Sequence, residues 1–405
     1  MKILVVSMST WGEMGNWLSG RSLVAVLASS FPAAEVNQVL AETYVPCFAE
    51  IGADIKRITR ASGSPEERFE RYAAIMGELD RRYPQGVESA APLASALAAE
   101  LEAFTEYLRA EAPDLIIGTK GLICRICVAA ARHAGLSVPV INYITNHGHF
   151  QFRVHHCPDA ALHLVRFAAG QAYVQKRCGF RPEAVRAVGY VVAAQPLLHP
   201  TRAAPLAEQG EVRGPLSVII VSNRGGTEYV DLVRHLVPRG NSIQVTFIAI
   251  NDPDLCAQAE QIIAASGITN WRTASFLTQE EFFGLLDQTR TRGGSVLVSK
   301  ASPNSIFEAA YFGIPMFLIR TGLPMEEWGA DVVIEEKIGY VVESMAALMP
   351  VLDRCLDDRE RLAQTGRHLQ SFIARYLDQP RTIELIAGAV RDVLSGTTAA
   401  ARAAG

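Results

Sequence analysis

A strand–helix–strand pattern over residues 295–319 is the feature that most constrains the fold of this chain. The apolar run 295–299 predicts a buried strand, a helix follows, and a second buried strand is expected from Pro315. Ser302 suits the position that caps a helix and Pro303 suits its first turn, so the start of the helix is well defined. Strands joined by a helix in this way lie parallel in one sheet, with a right-handed crossover.

The helix that starts at Pro303 also predicts a ligand site. Its unbonded amides and the positive end of its dipole face whatever lies beyond the carboxyl end of the preceding strand, which suits a phosphate. Ser305 lies one turn into the helix, and Glu308 lies three residues further along the same face. An ionised carboxylate can accept both hydroxyls of a ribose. Together with Ser302, these residues predict a nucleotide-diphosphate site; the alternative is an ordinary helix start with a solvent-exposed glutamate.

The same alternation of strands and helices occupies two long stretches of the chain. One clear strand–helix–strand unit covers residues 114–144, and a second series runs from 216 to 319. The segment 195–214 between them is rich in proline and charge, which is typical of an interdomain linker. For 405 residues we therefore expect an α/β protein with two parallel-sheet domains. The expected regions are an N-terminal domain, a C-terminal domain and a final helix with a frayed tail: 1–200, 201–380 and 381–405.

Composition and charge exclude several classes of protein. The net charge of −4 argues against nucleic-acid binding, and no apolar run approaches the ~18 residues that span a bilayer. The first residues lack the core and cleavage site of a signal peptide, so we expect a cytoplasmic protein, with the inner membrane face as the other location. Nearby acidic residues offset Arg68, Arg71, Arg81 and Arg82, so at most weak peripheral membrane contact is expected.

The cysteines carry little functional information. Seven of them are scattered along the chain, which is typical of reduced core residues. Cys124 and Cys127 form a CxxC pair in an expected helix, but no second pair follows, so zinc or redox chemistry is the weaker interpretation. We expect no metal and no bound cofactor, and the oligomeric state is left open.

A glycine pair follows the first strand of the second series. Gly225 and Gly226 let backbone amides approach a diphosphate closely, and Arg224, beside Asn223, can pair with phosphate oxygens. A glycine pair is also common in plain turns. This loop is therefore a second candidate for holding the diphosphate.

Two further loops of the second series offer contacts for a base and a sugar. Phe276 and Leu277 end a strand where a base can lie against an apolar surface; a plain core position is the alternative for the aromatic ring. Glu326 and Glu327 follow a later strand, where carboxylates can meet sugar hydroxyls. A solvent-exposed acidic loop is the alternative there.

In chain order these loops resemble the donor domain of the GT-B glycosyltransferases that include monogalactosyldiacylglycerol synthase, processive diacylglycerol glucosyltransferase and the peptidoglycan N-acetylglucosaminyltransferase. Those enzymes have a KAGPGT strand end followed by a helix with a glutamate; here residues 300–305 read KASPNS, before Glu308. Their GxP matches residues 313–315, and their PGQExGN loop is similar to residues 324–330. The resemblance covers residues 215–345 well.

The resemblance implies a GT-B fold, in which two Rossmann-like parallel-sheet domains face each other across a cleft. The N-terminal domain would bind the acceptor and the C-terminal domain the nucleotide sugar. It implies a metal-independent, inverting transfer from a nucleotide diphosphate sugar to a hydroxyl of a lipid or small-molecule acceptor. Because the enzymes of this family use UDP-sugars, the expected donor is a UDP-sugar. The UDP-sugar would be a co-substrate, and Asn304 would join Glu326 and Glu327 in binding the sugar.

The N-terminal loop departs from the family pattern. The family carries a histidine just before its first helix, but residues 11–16 read WGEMGN, so Asn16 occupies that place. We look for the catalytic base instead among the histidines that follow a first-domain strand, His147 and His149, with Glu13 as the next candidate. The same cluster, with Cys157, could bind a metal or form a polar rim.

Two other functions fit the same residues. A UDP-N-acetylglucosamine 2-epimerase-like enzyme would use the donor site without an acceptor. A catalytically silent nucleotide-sugar-binding protein would explain the missing histidine. Turnover with and without an acceptor distinguishes the three functions.

Overall fold

The computed structural model describes residues 1–9, 15–60, 65–83, 101–146, 152–192, 215–223, 226–250 and 252–403. The chain forms two units. The first consists of Met1–Leu198 together with Asp378–Gly405, and the second is His199–Leu377. The last helix of the chain therefore belongs to the first unit.

The first unit contains a six-stranded sheet in which every pairing is parallel. Its strand order is β2-β1-β3-β4-β5-β6. The chain runs from β1 to the edge strand β2 and then crosses back to build the other four strands, so the order reverses between β1 and β3. The strands are β1 (Lys2–Ser7), β2 (Glu35–Leu40), β3 (Leu115–Gly118), β4 (Val140–Tyr143), β5 (Leu162–Val165) and β6 (Val185–Ala187).

Seven helices accompany these strands in the described part of residues 1–192. A short 3-10 turn, Arg153–His155, lies between β4 and β5. The helices are α1 (Gly15–Ser30), α2 (Ala41–Tyr44), α3 (Cys47–Arg60), α4 (Pro65–Arg82), α5 (residues 101–111), α6 (Gly121–His133) and α7 (Ala168–Cys178).

The second unit contains a second six-stranded parallel sheet, with the order β12-β11-β10-β7-β8-β9. Counted from its own first strand, this is the Rossmann order 6-5-4-1-2-3. The predicted α/β class with two Rossmann-like parallel sheets is thus confirmed. The strands are β7 (Leu216–Asn223), β8 (Ile243–Ile250), β9 (Arg272–Ala274), β10 (Ser295–Lys300), β11 (Met316–Ile319) and β12 (Gly339–Val342).

Local sequence fixes several helix starts in the second unit. Asp252 caps α9 by accepting from the amide of Leu255, and Thr278 and Glu281 form a reciprocal capping box at the start of α10. The helices of this unit are α8 (Glu228–Leu236), α9 (Pro253–Ser266), α10 (Gln279–Gly293), α11 (Pro303–Tyr311), α12 (Pro324–Glu335), α13 (Met345–Asp357) and α14 (Arg359–Tyr376).

The last helix, α15 (Gln379–Ala403), returns to the first unit. Its residues Ile386 and Val390 pack with Leu23 of α1 in the core of that unit. Its first residue is bonded to the segment after β6, because Gln379 Nε2 donates to the carbonyl of Tyr190 at 2.9 Å. Among the described residues, none of the helices combines the length and apolarity that crossing a membrane requires.

Gly189 makes this attachment possible. Its φ is +87°, and a Cβ at this position would overlap with Oγ1 of Thr382 on α15. We expect Gly189→Ala to lower the free energy of unfolding by about 2–4 kcal/mol, because backbone strain and steric overlap add. Urea denaturation of the two proteins measures the difference.

Gly135→Ala is the matched control. Gly135 has a similar φ of +73°, but a Cβ at this position would meet no heavy atom within 4 Å, so only the backbone strain of about 1–2 kcal/mol applies. Equal destabilisation by the two substitutions would show that the contact with Thr382 contributes nothing.

Candidate functional site

The strand order of the second sheet locates a ligand site. From β7 the chain builds β8 and β9 on one side and β10 to β12 on the other, so β7 and β10 are neighbours at the switch point. Ligands of such sheets bind beyond the carboxyl ends of the strands at this point. The ends of these two strands are Asn223 and Lys300. The two loops that the sequence assigned to the diphosphate therefore leave adjacent strands.

The start of α11 has the properties of a phosphate site. Ser302 is the N-cap residue with an extended backbone, and Pro303 occupies the first turn. The Ser302 hydroxyl makes no capping hydrogen bond, so it does not satisfy the first-turn amides. Ser302, Asn304 and Ser305 are all half-buried. The helix therefore presents its N-terminal amides at the switch point, where an anion is favoured.

Glu308 lies on α11 with its side chain buried, only 8% exposed. Burial raises the pKa of its carboxyl to about 8, and a hydrogen bond from Gln279 opposes this rise. Gln279 Nε2 donates to Glu308 Oε1 at 3.2 Å. The carboxyl is therefore mostly protonated at neutral pH when no ligand supplies further donors.

The bond to Gln279 ties Glu308 to the loop predicted to hold a base. Gln279 is the first residue of α10, directly after Phe276, Leu277 and the capping residue Thr278. The ring of Phe276 is 51% exposed, so it is not a core residue of this unit. The exposed ring of Phe276 therefore lies three residues before Gln279, the hydrogen-bond partner of Glu308.

A buried ion pair lies at the same edge of the sheet. Lys300 Nζ donates to Glu326 Oε1 at 2.6 Å, and both side chains are largely shielded from solvent. Within the described part of the chain, Glu326 Oε2 has no hydrogen-bond partner. Burial, and then the carboxylates of Glu228 and Glu326, raise the pKa of Tyr229. Charged and polar groups from β10, α8 and α12 thus lie together beyond the strand ends. The buried Oε2 of Glu326 can accept a further hydrogen bond there.

The neighbouring carboxylate, Glu327, is used differently. It accepts from the amides of Thr321 at 3.2 Å and Gly322 at 2.9 Å, and it pairs with Arg320. These bonds hold the loop between β11 and α12. Of the two glutamates predicted to bind a sugar, Glu326 is the one with an unfilled oxygen.

The glycine loop after β7 is described only in part. Gly226 approaches the next helix so closely that a Cβ would overlap with Oε1 of Glu228. Arg224 and Gly225 lie outside the described residues, and Asn223 is described only by its backbone at the end of β7. Their predicted contacts with a diphosphate stay predictions.

The first unit also has a polar edge beyond its strand ends. One polar or charged residue follows each of five strands: Ser9 after β1, Glu42 after β2, Lys120 after β3, Thr145 after β4 and Arg166 after β5. The predicted bases Glu13, His147 and His149 lie outside the described residues, so their role stays a prediction.

His155 and His163, which follow His147 and His149 in sequence, belong to the core. His163 is buried on β5 and stacks on Phe180 with ring centroids 4.0 Å apart. Burial, and then His156, lower the pKa of His163 to about 4. His155 is also fully buried, and burial lowers its pKa. Both rings are therefore neutral and weakly basic at physiological pH.

Cys157 is a protonated thiol in this structure. It is buried, and burial raises the pKa of its thiol to about 12, so it is not a thiolate. In the portions of the chain that the structure describes, His, Cys, Asp and Glu side chains form no group suited to a metal ion.

Lys120 is a functional candidate that the sequence reasoning missed. Its side chain is 3% exposed, and burial lowers its pKa to about 7 despite the nearby carboxylate of Glu42. Glu42 Oε1 is itself held by the amide and hydroxyl of Ser9, at 2.6 and 2.5 Å. The available signal was the position of Lys120 just beyond the buried strand β3, beside the switch point between β1 and β3.

Sequence and structure comparisons give different results. No protein-family model matches the chain, and no curated protein matches it. Solved structures do match over nearly the whole length. HepE of Anabaena, in complex with UDP and glucose, is 15% identical with a TM-score of 0.54, covering 97% of this chain and 100% of that one.

Two other matches bind related ligands. UGT2 of Phytolacca americana, complexed with UDP-2-fluoroglucose and pterostilbene, is 13% identical with a TM-score of 0.58, covering 97% of this chain and 99% of that one. The UDP-GlcNAc 2-epimerase of Neisseria meningitidis, bound to UDP-GlcNAc, is 10% identical with a TM-score of 0.56, covering 98% and 100%. This similarity identifies the fold as GT-B, which confirms the predicted fold class.

Lys120 should make stability depend on pH. An unfolded lysine has a pKa near 10.4 and the folded one about 7, so between these values the unfolded chain holds the extra proton. Stability should therefore rise with pH in this window. Relative to Lys120→Met, we expect the wild type to gain up to about 1.4 kcal/mol per pH unit between pH 7 and 9.5.

Chemical denaturation at several pH values measures this gain. Lys2→Met is the matched control, since Glu111 raises the pKa of Lys2 and keeps its titration above this window. Parallel stability curves for the wild type and Lys120→Met would show that the amine titrates normally in the folded protein.

Proposed function

We propose that this protein is an inverting, metal-independent glycosyltransferase that moves a sugar from a UDP-sugar to an acceptor hydroxyl. The observation that carries the proposal is Glu308. Its buried carboxyl lies in the second turn of a helix whose start is uncapped, at the switch point of a Rossmann sheet. A carboxyl that accepts ribose hydroxyls beside a diphosphate seat defines a nucleotide-diphosphate site. The UDP and UDP-sugar complexes of HepE and UGT2, which share the fold, support this choice of donor.

Each part of the donor then has a partner in the second unit. The ribose hydroxyls bind Glu308, and the base lies against Phe276 and Leu277. The diphosphate binds the α11 amides with Ser302 and Ser305, together with the loop formed by Asn223, Arg224, Gly225 and Gly226. The sugar hydroxyls meet Glu326, whose buried Oε2 is unfilled among the described residues, and Asn304 and Glu327 complete this end of the site.

Transfer requires one bond to form and one to break at the anomeric carbon. The acceptor oxygen attacks the face opposite the diphosphate, the bond to the diphosphate oxygen breaks, and UDP leaves with the electron pair. Negative charge that develops on the diphosphate is stabilised by the helix amides and Arg224, which take the role that a metal has in other designs. The acceptor proton passes to a base on the first unit, for which His147, His149 and Glu13 are our candidates.

The acceptor class follows the sequence resemblance to lipid glycosyltransferases, so the proposal includes a lipid or a small-molecule alcohol. The same proposal places the enzyme in the cytoplasm, with weak peripheral contact at the inner membrane face. Epimerisation is the second candidate, since the Neisseria meningitidis 2-epimerase bound to UDP-GlcNAc shares the fold. A silent nucleotide-sugar-binding protein is the third.

Incubation with a panel of nucleotide sugars separates these functions. Transfer requires an acceptor, supplied as a lipid extract or as small-molecule alcohols. Epimerisation or hydrolysis proceeds with the donor alone. A binding protein gives neither product, although calorimetry still detects the nucleotide.

Replacement of Glu308 should weaken donor binding. Loss of hydrogen bonds to a charged group costs about 1.5–3 kcal/mol, so Glu308→Ala should reduce UDP affinity by roughly ten- to a hundredfold in calorimetry. Glu335→Gln, at an exposed position on α12, is the control and should bind UDP normally. Equal UDP affinity in Glu308→Ala and the wild type, with unchanged circular dichroism, would remove Glu308 from the site.

The raised pKa of Glu308 adds a pH signature. Only the ionised carboxylate accepts both ribose hydroxyls, and the free carboxyl has a pKa of about 8. UDP binding should therefore release a proton, and affinity should rise between pH 6.5 and 8.5. Calorimetry in buffers of different ionisation heat measures the proton. In Glu308→Gln this part of the pH dependence should disappear; if it persists there, another group is responsible.

Chelation tests the metal-independent mechanism. Activity should survive excess EDTA, because helix amides and Arg224 stabilise the diphosphate without a divalent ion. Complete loss of turnover with EDTA, with recovery on adding manganese or magnesium, would contradict the mechanism and return attention to the histidine cluster.

A further inference from the structure

Arg166, directly after β5, carries a buried charge with few partners. Its side chain is 1% exposed. Nη2 donates to Ser19 Oγ at 3.0 Å, whereas Nε and Nη1 have no hydrogen-bond partner in the described portions of the chain. No described carboxylate forms an ion pair with it. Its other neighbours are the rings of Tyr190 and Tyr143, whose centroids lie 4.1 and 5.8 Å from the guanidinium carbon.

A second buried arginine in the same unit shows what a structural guanidinium looks like. Arg125 donates to the carbonyls of Tyr83, Arg153 and His156, and it pairs with Asp80. Each of its three nitrogens donates to at least one acceptor of the protein. Burying a charge without such compensation is unfavourable, and contact with aromatic rings offsets only part of that cost. The incomplete bonding of Arg166 therefore calls for a further, anionic partner.

Polar and charged groups lie around Arg166 at one edge of the first sheet. It lies at the carboxyl edge of the first sheet, against the first turns of α1, where Ser19 binds Arg166 and the side chain of Asn16 accepts from Thr145 Oγ1 at 2.7 Å. Lys120, also buried, follows β3 two strands away, which places the two strand ends about 10 Å apart. This edge thus combines a buried guanidinium and a buried amine with the N-terminal end of a helix.

We propose that this edge of the first unit is an oxyanion-binding site in which Arg166 grips a carboxylate or phosphate group of the acceptor. The guanidinium offers unfilled N–H groups on Nε and Nη1 to an oxyanion, and the protonated form of Lys120 adds a second positive charge along the edge. The description of the ligand as the acceptor rests on the proposed function; the anion site itself does not. The acceptor is thereby narrowed to acidic molecules.

Calorimetry with simple anions tests the site directly. Inorganic phosphate and acetate are titrated separately, at constant ionic strength, into the full-length protein with saturating UDP, which occupies the diphosphate seat of the second unit. We expect at least one of the two anions to bind the wild type, and the preferred one distinguishes a phosphate from a carboxylate group. Arg166→Met should lower that affinity at least tenfold, and UDP affinity should stay unchanged.

Two further variants keep the test decisive. Arg186→Met is the control: Arg186 is a half-exposed arginine of the same unit, paired with Asp392, and its loss should leave anion binding intact. Arg166→Lys keeps the charge but removes the planar set of N–H donors, so it should bind the anion severalfold more weakly even where the Met variant fails to fold. Absence of anion binding to the wild type, or wild-type anion affinity in the Arg166 variants, overturns the proposal.

A pair of acceptors separates this inference from the proposed function. 4-Hydroxybenzoate and its methyl ester present the same hydroxyl with and without a carboxylate. Anion binding through Arg166 without transfer to any acceptor leaves the site standing and refutes the transferase. Transfer that prefers the methyl ester, without anion binding, leaves the transferase standing and refutes the site.

Discussion

The parallel arrangement of all twelve strands is the constraint on which the candidate sites depend. In a parallel sheet every strand ends at the same edge, so the residues that follow different strands become neighbours even when they are distant in sequence. Lys120 and Arg166 lie at the carboxyl edge of the first sheet for this reason. Lys300 and the start of α11 lie at the carboxyl edge of the second sheet. The inner strands β3 and β10 are almost wholly buried, so the polar groups that a ligand can reach lie beyond their ends.

The charged side chains in these two units differ in how completely the protein satisfies their hydrogen bonds. The buried Arg125 and the half-buried Glu327 bond to carbonyls and amides of neighbouring loops, and they hold those loops in place. Arg166 and Glu326 each retain buried atoms without a described partner. A fold that satisfies some buried charges fully and leaves others incomplete at the ligand edge sacrifices stability there, which is characteristic of binding sites.

Much of the fold could be predicted from the sequence, because its signals are local. Apolar runs marked the strands, and Ser302 with Pro303 marked the start of α11. The position of Glu308 on that helix also followed from helical spacing. The different roles of Glu326 and Glu327 could not be predicted, because the two adjacent glutamates differ only in their tertiary contacts. Lys300 binds the first, and amides of the 320–322 loop bind the second. The burial of Lys120 and Arg166 is likewise a tertiary property that no local pattern contains.

Three buried ionisable groups of these edges differ in how they tolerate an empty site. Glu308 can take up a proton and Lys120 can lose one, since burial moves both pKa values to near neutrality. Each can therefore exist uncharged until a ligand makes the charged form favourable. A guanidinium has no such alternative at physiological pH. Arg166 carries its charge whether or not the site is filled. Of the three groups, it therefore gains the most stabilisation from a bound ligand of opposite charge.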